Sequence, residues 1–237
     1  MKTIGLIGGM SWESSTMYYE LINKHTKELL GGLHSSKCIL NSVDFAEIER
    51  LQRQNDWDGL NQLMIQSAKQ LENAGADLIV LCTNTMHLCS SQIIKNISIP
   101  FIHIATATGQ EIKSTGLKKI ALLGTKFTME KDFYKNILKE DYDIDIIIPN
   151  IADREIVHDI IYKELVLGNI RDTSRESYKK IIKKLEQQGA QGVILGCTEI
   201  PLLIKPTDVD IPVFDTTKIH AKSAVTMVLN HESAQHS

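Results

Sequence analysis

Two short stretches hold the residues best suited to chemistry. GCTEIPLL, residues 196–203, delivers Cys197, Thr198 and Glu199 at the end of an apolar run, and LCTNTMH, residues 81–87, delivers Cys82, Thr83, Asn84 and Thr85 in the same way. A cysteine at a strand-to-helix turn lies where amide dipoles lower a thiol pKa from its usual value of about 8.5 and favour thiolate. Cys197 is therefore expected to be a reactive thiolate, with a buried inert cysteine as the alternative. Helix-start amides flanked by Thr and Asn side chains form an anion site. Two such sites facing each other suit a small dianion.

Other chemistries find no footing in the sequence. Cys-x-x-Cys, Cys/His zinc spacing and HExxH are all absent, so no metal site is expected. GLIGGM, residues 5–10, lacks the spacing of a dinucleotide fingerprint and no P-loop occurs, which argues against NAD or ATP. Cys38 and Cys89 read as inert thiols. His87, His103 and His220 read either as neighbours that raise thiolate content or as hydrogen-bonded imidazoles of the core or surface.

The elements that must position these residues follow from periodicity. Apolar runs at 3–7, 38–43, 77–82 and 99–104 alternate with helical patterns at about 13–30, 58–74 and 86–96. The series restarts with strands at about 119–123, 144–148, 192–196 and 211–214, interleaved with helices at about 129–140, 153–167, 174–188 and 217–229. Such alternation predicts strand-helix-strand units and parallel sheets. The fold class is α/β, with two similar Rossmann-like domains. The first takes residues 1–100 plus about 215–237, and the second about 101–214.

The repeat is legible residue by residue. Met1 to Gly8 overlays Leu117 to Gly124, Glu72 to Thr85 overlays Glu186 to Glu199, and Ile99-Pro100 matches Ile211-Pro212. Three segments in one order are an internal duplication. In this register Cys82 matches Gly196, whereas Thr83 matches Cys197. Successive strand side chains point to opposite faces, so Cys82 and Thr83 cannot share one site. Ligands of open parallel sheets bind outside the carboxyl ends of the strands. Gly8-Gly9-Met10 and Thr83-Asn84-Thr85 from one half, and Gly124-Thr125 and Cys197-Thr198-Glu199 from the other, are thus expected to line an active-site cleft between the domains.

Bulk properties narrow the partners. With 26 basic and 29 acidic residues the net charge is -3, so neither nucleic acid nor a membrane surface is an expected partner. Lys179, Lys180, Lys183 and Lys184 read as a solvated helix face. Four cysteines in or beside apolar strand-like segments, no secretory signal and no 18-residue apolar run lead to the expectation of a cytoplasmic, reduced protein.

The stretches IGLIGGMSWESS (4–15), LCTNTMH (81–87), ALLGTKFTMEKDFY (121–134) and GCTEIPLL (196–203) resemble the aspartate/glutamate racemase family of cofactor-independent amino-acid racemases. The likeness spans nearly the whole chain. It implies two-base racemisation of an acidic amino acid, with no cofactor and no metal, and a homodimer is common among similar proteins. Members usually carry a cysteine in both motifs; here the first position is Thr83, as in a similar subgroup of L-aspartate/glutamate-specific racemases. The implied roles are Cys197 as base toward the L-enantiomer and Thr83 as opposite-face donor. Asn84, Thr85, Thr125, Thr128 and Thr198 are implied to hold the α-carboxylate and α-ammonium, with Met10 at the cleft wall. Structural alternatives remain, since Thr83, Thr85 or Thr125 could cap helices and Met10 could be core.

For the side-chain carboxylate the candidates are Gln52 and Arg53, on a polar stretch after the strand at 38–43. Arg can form a bidentate fork, and a surface Arg is the alternative. Glu199 and Glu164 are candidate ammonium partners. Rival readings are a related cysteine-dependent hydantoin racemase or maleate isomerase, or a protein that binds acidic amino acids without turning them over.

Overall fold

A computed structural model describes residues 1–233, which form two compact units: Met1–Ile104 with the chain from His220 onward, and Ala105–Ile219. In the first unit β1 (Ile4–Gly8), α1 (Trp12–Leu30), β2 (Cys38–Ser42), α2 (Phe45–Arg53) and α3 (Trp57–Asn73) are followed by β3 (Leu78–Leu81). A 3-10 turn at Thr85–Cys89, α4 (Ser90–Asn96) and β4 (Phe101–Ile102) complete that series. The next helix, α5 (Ile104–Thr115), leads into the second unit, whose strands are β5 (Lys119–Gly124) and β6 (Asp145–Ile147), with α6 (Lys126–Glu130) and α7 (Asp132–Tyr142) between them. Then come α8 (Ile151–Lys163), a 3-10 turn at Leu165–Leu167, α9 (Asp172–Gln187), β7 (Val193–Gly196), α10 (Ile200–Leu203), a 3-10 turn at Pro206–Asp208 and β8 (Val213–Asp215). Helix α11 (Thr216–Ser233) returns the chain to the first unit.

Both sheets are parallel and share one topology, β2-β1-β3-β4 and β6-β5-β7-β8. Their central strands are buried except at Lys119, which opens β5, as the apolar runs require of parallel strands covered on both faces. The registers carry the duplication into three dimensions: Ile7 pairs with Leu81 in one sheet as Leu123 pairs with Leu195 in the other. Thr83 and Cys197 each lie two residues beyond such a pair.

Several boundaries differ from the sequence reading. The stretch after β2, read as polar and given no element, is helix α2, capped by the Asp44 carboxylate at 3.0 Å from the Ala46 amide and seated by Ile48 and Leu51. The expected strand 99–104 is cut to two residues because Ile104 opens α5. That helix was hidden by Gly109 and β-branched Thr residues, which weaken a helical pattern. Gly109 is required by packing, since a Cβ there would stand 2.4 Å from the Tyr142 ring. The helix expected over 129–140 begins at Lys126 and breaks at Lys131, and the one expected over 86–96 opens as a 3-10 turn. Among the described residues no helix is long and apolar enough to cross a membrane. On α9, Lys179 pairs with Glu176, Lys183 with Glu186 and Asp210, and Lys184 with Asp153.

Candidate active site

In the second unit the site is prepared by two glycines. Gly124 and Gly196 pair at the ends of β5 and β7, where a Cβ on Gly124 would lie 2.8 Å from the Gly196 carbonyl oxygen and one on Gly196 3.2 Å from Thr128 Cγ2. The two strand ends thus approach closer than any side chain permits, and the turn from Thr125 to Thr128 folds over them. The chain emerging from Gly196 places Cys197 next, buried, with its thiol donating to Glu199 Oε2 at 2.8 Å. Thr198 Oγ1 donates to the same oxygen at 2.7 Å.

The electrostatics correct one expectation. Burial pushes the Cys197 thiol well above its ordinary pKa, the Glu199 carboxylate and its hydrogen bond push further, and the amides of Thr198 and Glu199 that point at the sulfur are outweighed. Cys197 is therefore a neutral thiol, not the thiolate expected from amide dipoles alone. Below it Tyr178 is fully buried, donates to the Val157 carbonyl at 3.0 Å, and is held as a neutral phenol by burial and by nearby Cys197, Glu199 and Glu164. Glu164 itself accepts from Ser174 Oγ at 2.5 Å and lies 3.6 Å from Arg171.

The turn amides expected to bind an anion are engaged within each unit. Thr125 caps α6, accepting from the Thr128 amide at 3.3 Å, and His158 Nδ1 accepts from the Lys126 amide at 3.2 Å. In the first unit Ser15 Oγ accepts from the Gly9 amide at 2.7 Å. Sequence patterns do not expose His158 or Ser15 because their partners are set by tertiary packing or by a turn.

In the first unit β3 delivers Thr83 half-buried, whereas the preceding Cys82 is completely buried with its thiol pKa driven up by desolvation and then by Cys38. Asn84 and Thr85 follow, both buried. Met10, beyond β1, is buried among Ile7, Met86 and other apolar residues of the core. Gln52 on α2 is 7% exposed and directs Nε2 to Met86 Sδ at 3.2 Å. Arg53 does not join it: its side chain is 79% exposed and paired with Glu49 of the preceding turn. Cys89 is buried, and desolvation pushes its pKa up to about 12. His87 and His220 are buried imidazoles, hydrogen-bonded through both ring nitrogens. Among the described residues no cluster of three or more His, Cys, Asp or Glu side chains has the makings of a metal site.

A family model for Asp/Glu/hydantoin racemases matches residues 7–224. A candidate Asp/Glu racemase from Yersinia pestis, solved by crystallography, shares 54% identity over 97% of this chain and all of its own, with a TM-score of 0.91. An aspartate racemase homologue from Pyrococcus horikoshii shares 37% identity over 96% of this chain and 99% of its own, with a TM-score of 0.83. Among curated proteins, a broad-specificity amino-acid racemase of Bacillus subtilis is 24% identical over 97% of this chain and 100% of its own length.

Proposed function

Because this chain belongs to the Asp/Glu/hydantoin racemase family and is an amino-acid racemase, we propose that it interconverts the enantiomers of aspartate or glutamate by proton transfer at Cα, with Cys197 and Thr83 acting on opposite faces of one substrate. The observation that carries this reading is the Cys197 thiol bonded to Glu199 at a strand end, in a family of racemases. A buried thiol is a poor base until its proton is moved. Glu199 Oε2, at 2.8 Å, is the acceptor in place, and the substrate ammonium arriving beside the pair supplies the positive charge that stabilises the resulting thiolate.

The proton balance runs as follows. Cys197 thiolate takes the α-proton of the L-enantiomer, breaking C–H and forming S–H, and the electron pair stays on Cα, delocalised into the carboxylate. The Thr83 O–H bond then breaks as its proton joins Cα from the other face, water returns a proton to the Thr83 oxygen, and Glu199 releases to the hydroxide left behind the proton it took from Cys197. A threonine alkoxide is too basic to be populated beforehand, but a carbanion-like intermediate is basic enough to draw the proton from the hydroxyl. Asn84, Thr85, Thr125, Thr128 and Thr198 orient the α-carboxylate and α-ammonium. Gln52, buried, is the favoured partner for the side-chain carboxylate, with Arg53 joining through a change of its exposed rotamer.

Incubation with L- and D-aspartate and glutamate in deuterium oxide, followed by mass and chiral analysis, tests the reading. Deuterium at Cα in step with inversion is expected; binding without exchange would leave only an amino-acid-binding role. A wider side-chain range is a second reading, favoured by the full-length likeness to the broad-specificity racemase, and the same assay on neutral amino acids decides it.

A further inference from the structure

Strand β4 is two residues long, and its ladder to β3 ends at Val80 and Ile102. Beyond that point the backbone groups of both chains must find other partners or stay buried unpaired, which is costly. Two histidines supply them. His87 Nε2 accepts from the Ile104 amide at 3.2 Å, so in the neutral ring the proton is on Nδ1, which donates to the Thr83 carbonyl at 2.7 Å. His220 Nε2 donates to the Ile102 carbonyl at 3.0 Å, leaving Nδ1 to accept from Tyr18 Oη at 2.8 Å.

Thr83 gains most from this arrangement. Its amide donates to the Leu81 carbonyl at 2.9 Å and its carbonyl is held by His87, so both backbone polar groups are fixed while the side chain stays half-buried. The His87 ring has no room to turn: it is completely buried, with the His103 ring centroid at 4.7 Å, that of His220 at 5.5 Å and that of Phe101 at 5.6 Å.

We propose that His87 is the positioning residue of the Thr83 half-reaction, its Nδ1–H fixing the peptide that aims the Thr83 hydroxyl at Cα. This rests on the two-face mechanism above. Desolvation and the neighbouring imidazoles keep the ring neutral, which preserves the Nε2 acceptor.

The test compares two amide variants with the parent and with Thr83→Ala. His87→Gln places its amide where Nε2 stood and reaches Ile104 but not Thr83; His87→Asn places it where Nδ1 stood and restores the Thr83 donor. Each loses one of two hydrogen bonds, so a role in stability alone predicts equal losses. We expect His87→Gln to slow racemisation at least about tenfold, the effect of a small misplacement, while exchange of the L-substrate α-proton through Cys197 falls far less, and His87→Asn to recover much of the loss. Parallel loss of exchange and racemisation in both variants, or no loss in His87→Gln, overturns the proposal.

If Thr83→Ala itself racemises at the parental rate, the role of Thr83 fails first, independently of His87. In the unaltered protein, nitrogen-15 NMR of the histidine rings is expected to show His87 protonated on Nδ1. A proton on Nε2 would overturn the proposal without any variant.

Discussion

The thiol of Cys197 donates to the carboxylate of Glu199 across 2.8 Å, within a single strand-end turn. This pair gives a strand-end cysteine a proton acceptor but also raises its pKa, so the same carboxylate opposes spontaneous ionisation and stands ready to take the proton. A quiet thiol at rest follows from that geometry, and a thiolate formed only beside substrate is what the proposed mechanism requires.

Glu199→Gln separates the two effects. Removing the charge and the acceptor lowers the thiol pKa toward its ordinary range, although burial keeps it elevated. The pH midpoint of iodoacetamide alkylation at Cys197 should therefore move down, while racemisation falls by about 10²–10⁴, the usual contribution of a positioned acid or base. An alkylation midpoint that stays or rises would mean that Glu199 does not govern the thiol.

Much of this was legible in the sequence, for a physical reason. Buried parallel strands must be continuous apolar runs, and the polar residues that end them are therefore conspicuous, which is why 77–82 and 192–196 revealed both β3 and β7 and the turns beyond. The duplication then fixed the register that matches Thr83, and not Cys82, with Cys197. Helix α5 was not legible, because Gly109 is there for the Tyr142 ring and not for helix propensity. Nor was the neutral state of Cys197, which depends on burial and on where the Glu199 side chain turns.

Cys82 and Cys197 should be distinguishable by one substitution each. Both are buried; Ser at position 82 puts a hydroxyl into a fully buried site and costs about 1–3 kcal/mol, measurable as a lower denaturant midpoint, whereas at position 197 the Glu199 carboxylate can accept from it. Only Cys197→Ser should abolish α-proton exchange in the folded fraction. Equal inactivity of folded Cys82→Ser would overturn the register argument and the assignment of Thr83 with it.

The buried imidazoles make the first unit acid-sensitive. Desolvation holds His220 at about 4 in the folded state, against 6.5 for the ordinary side chain, so the unfolded chain binds more protons in that interval. The stabilisation is complete above about pH 6.5 and is lost as pH falls toward 4. At pH 5 the loss from His220 alone is about 2 kcal/mol. Urea unfolding followed by circular dichroism at pH 7 and pH 5 should show a marked drop in midpoint, and a midpoint that does not move would contradict a buried neutral His220.

Thermodynamics limits how the two directions of the proposed racemisation can differ. Free L- and D-aspartate, or L- and D-glutamate, have equal free energy in an achiral solvent, so the equilibrium constant is one and kcat/KM must be the same for both enantiomers. In the proposed mechanism Thr83 in place of a second thiol changes which bound state accumulates and therefore lets kcat and KM vary together. We expect lower kcat and proportionally lower KM for the D-substrate, and a slow approach to the racemic mixture from either side. Thr83→Cys should raise the D-direction kcat, because that face gains a group able to ionise nearer neutral pH. Progress curves from both pure enantiomers check all of this at once: they must converge on equal concentrations, and a stable end point far from racemic, with active enzyme and no coupled reaction, would show that the chemistry is not simple racemisation.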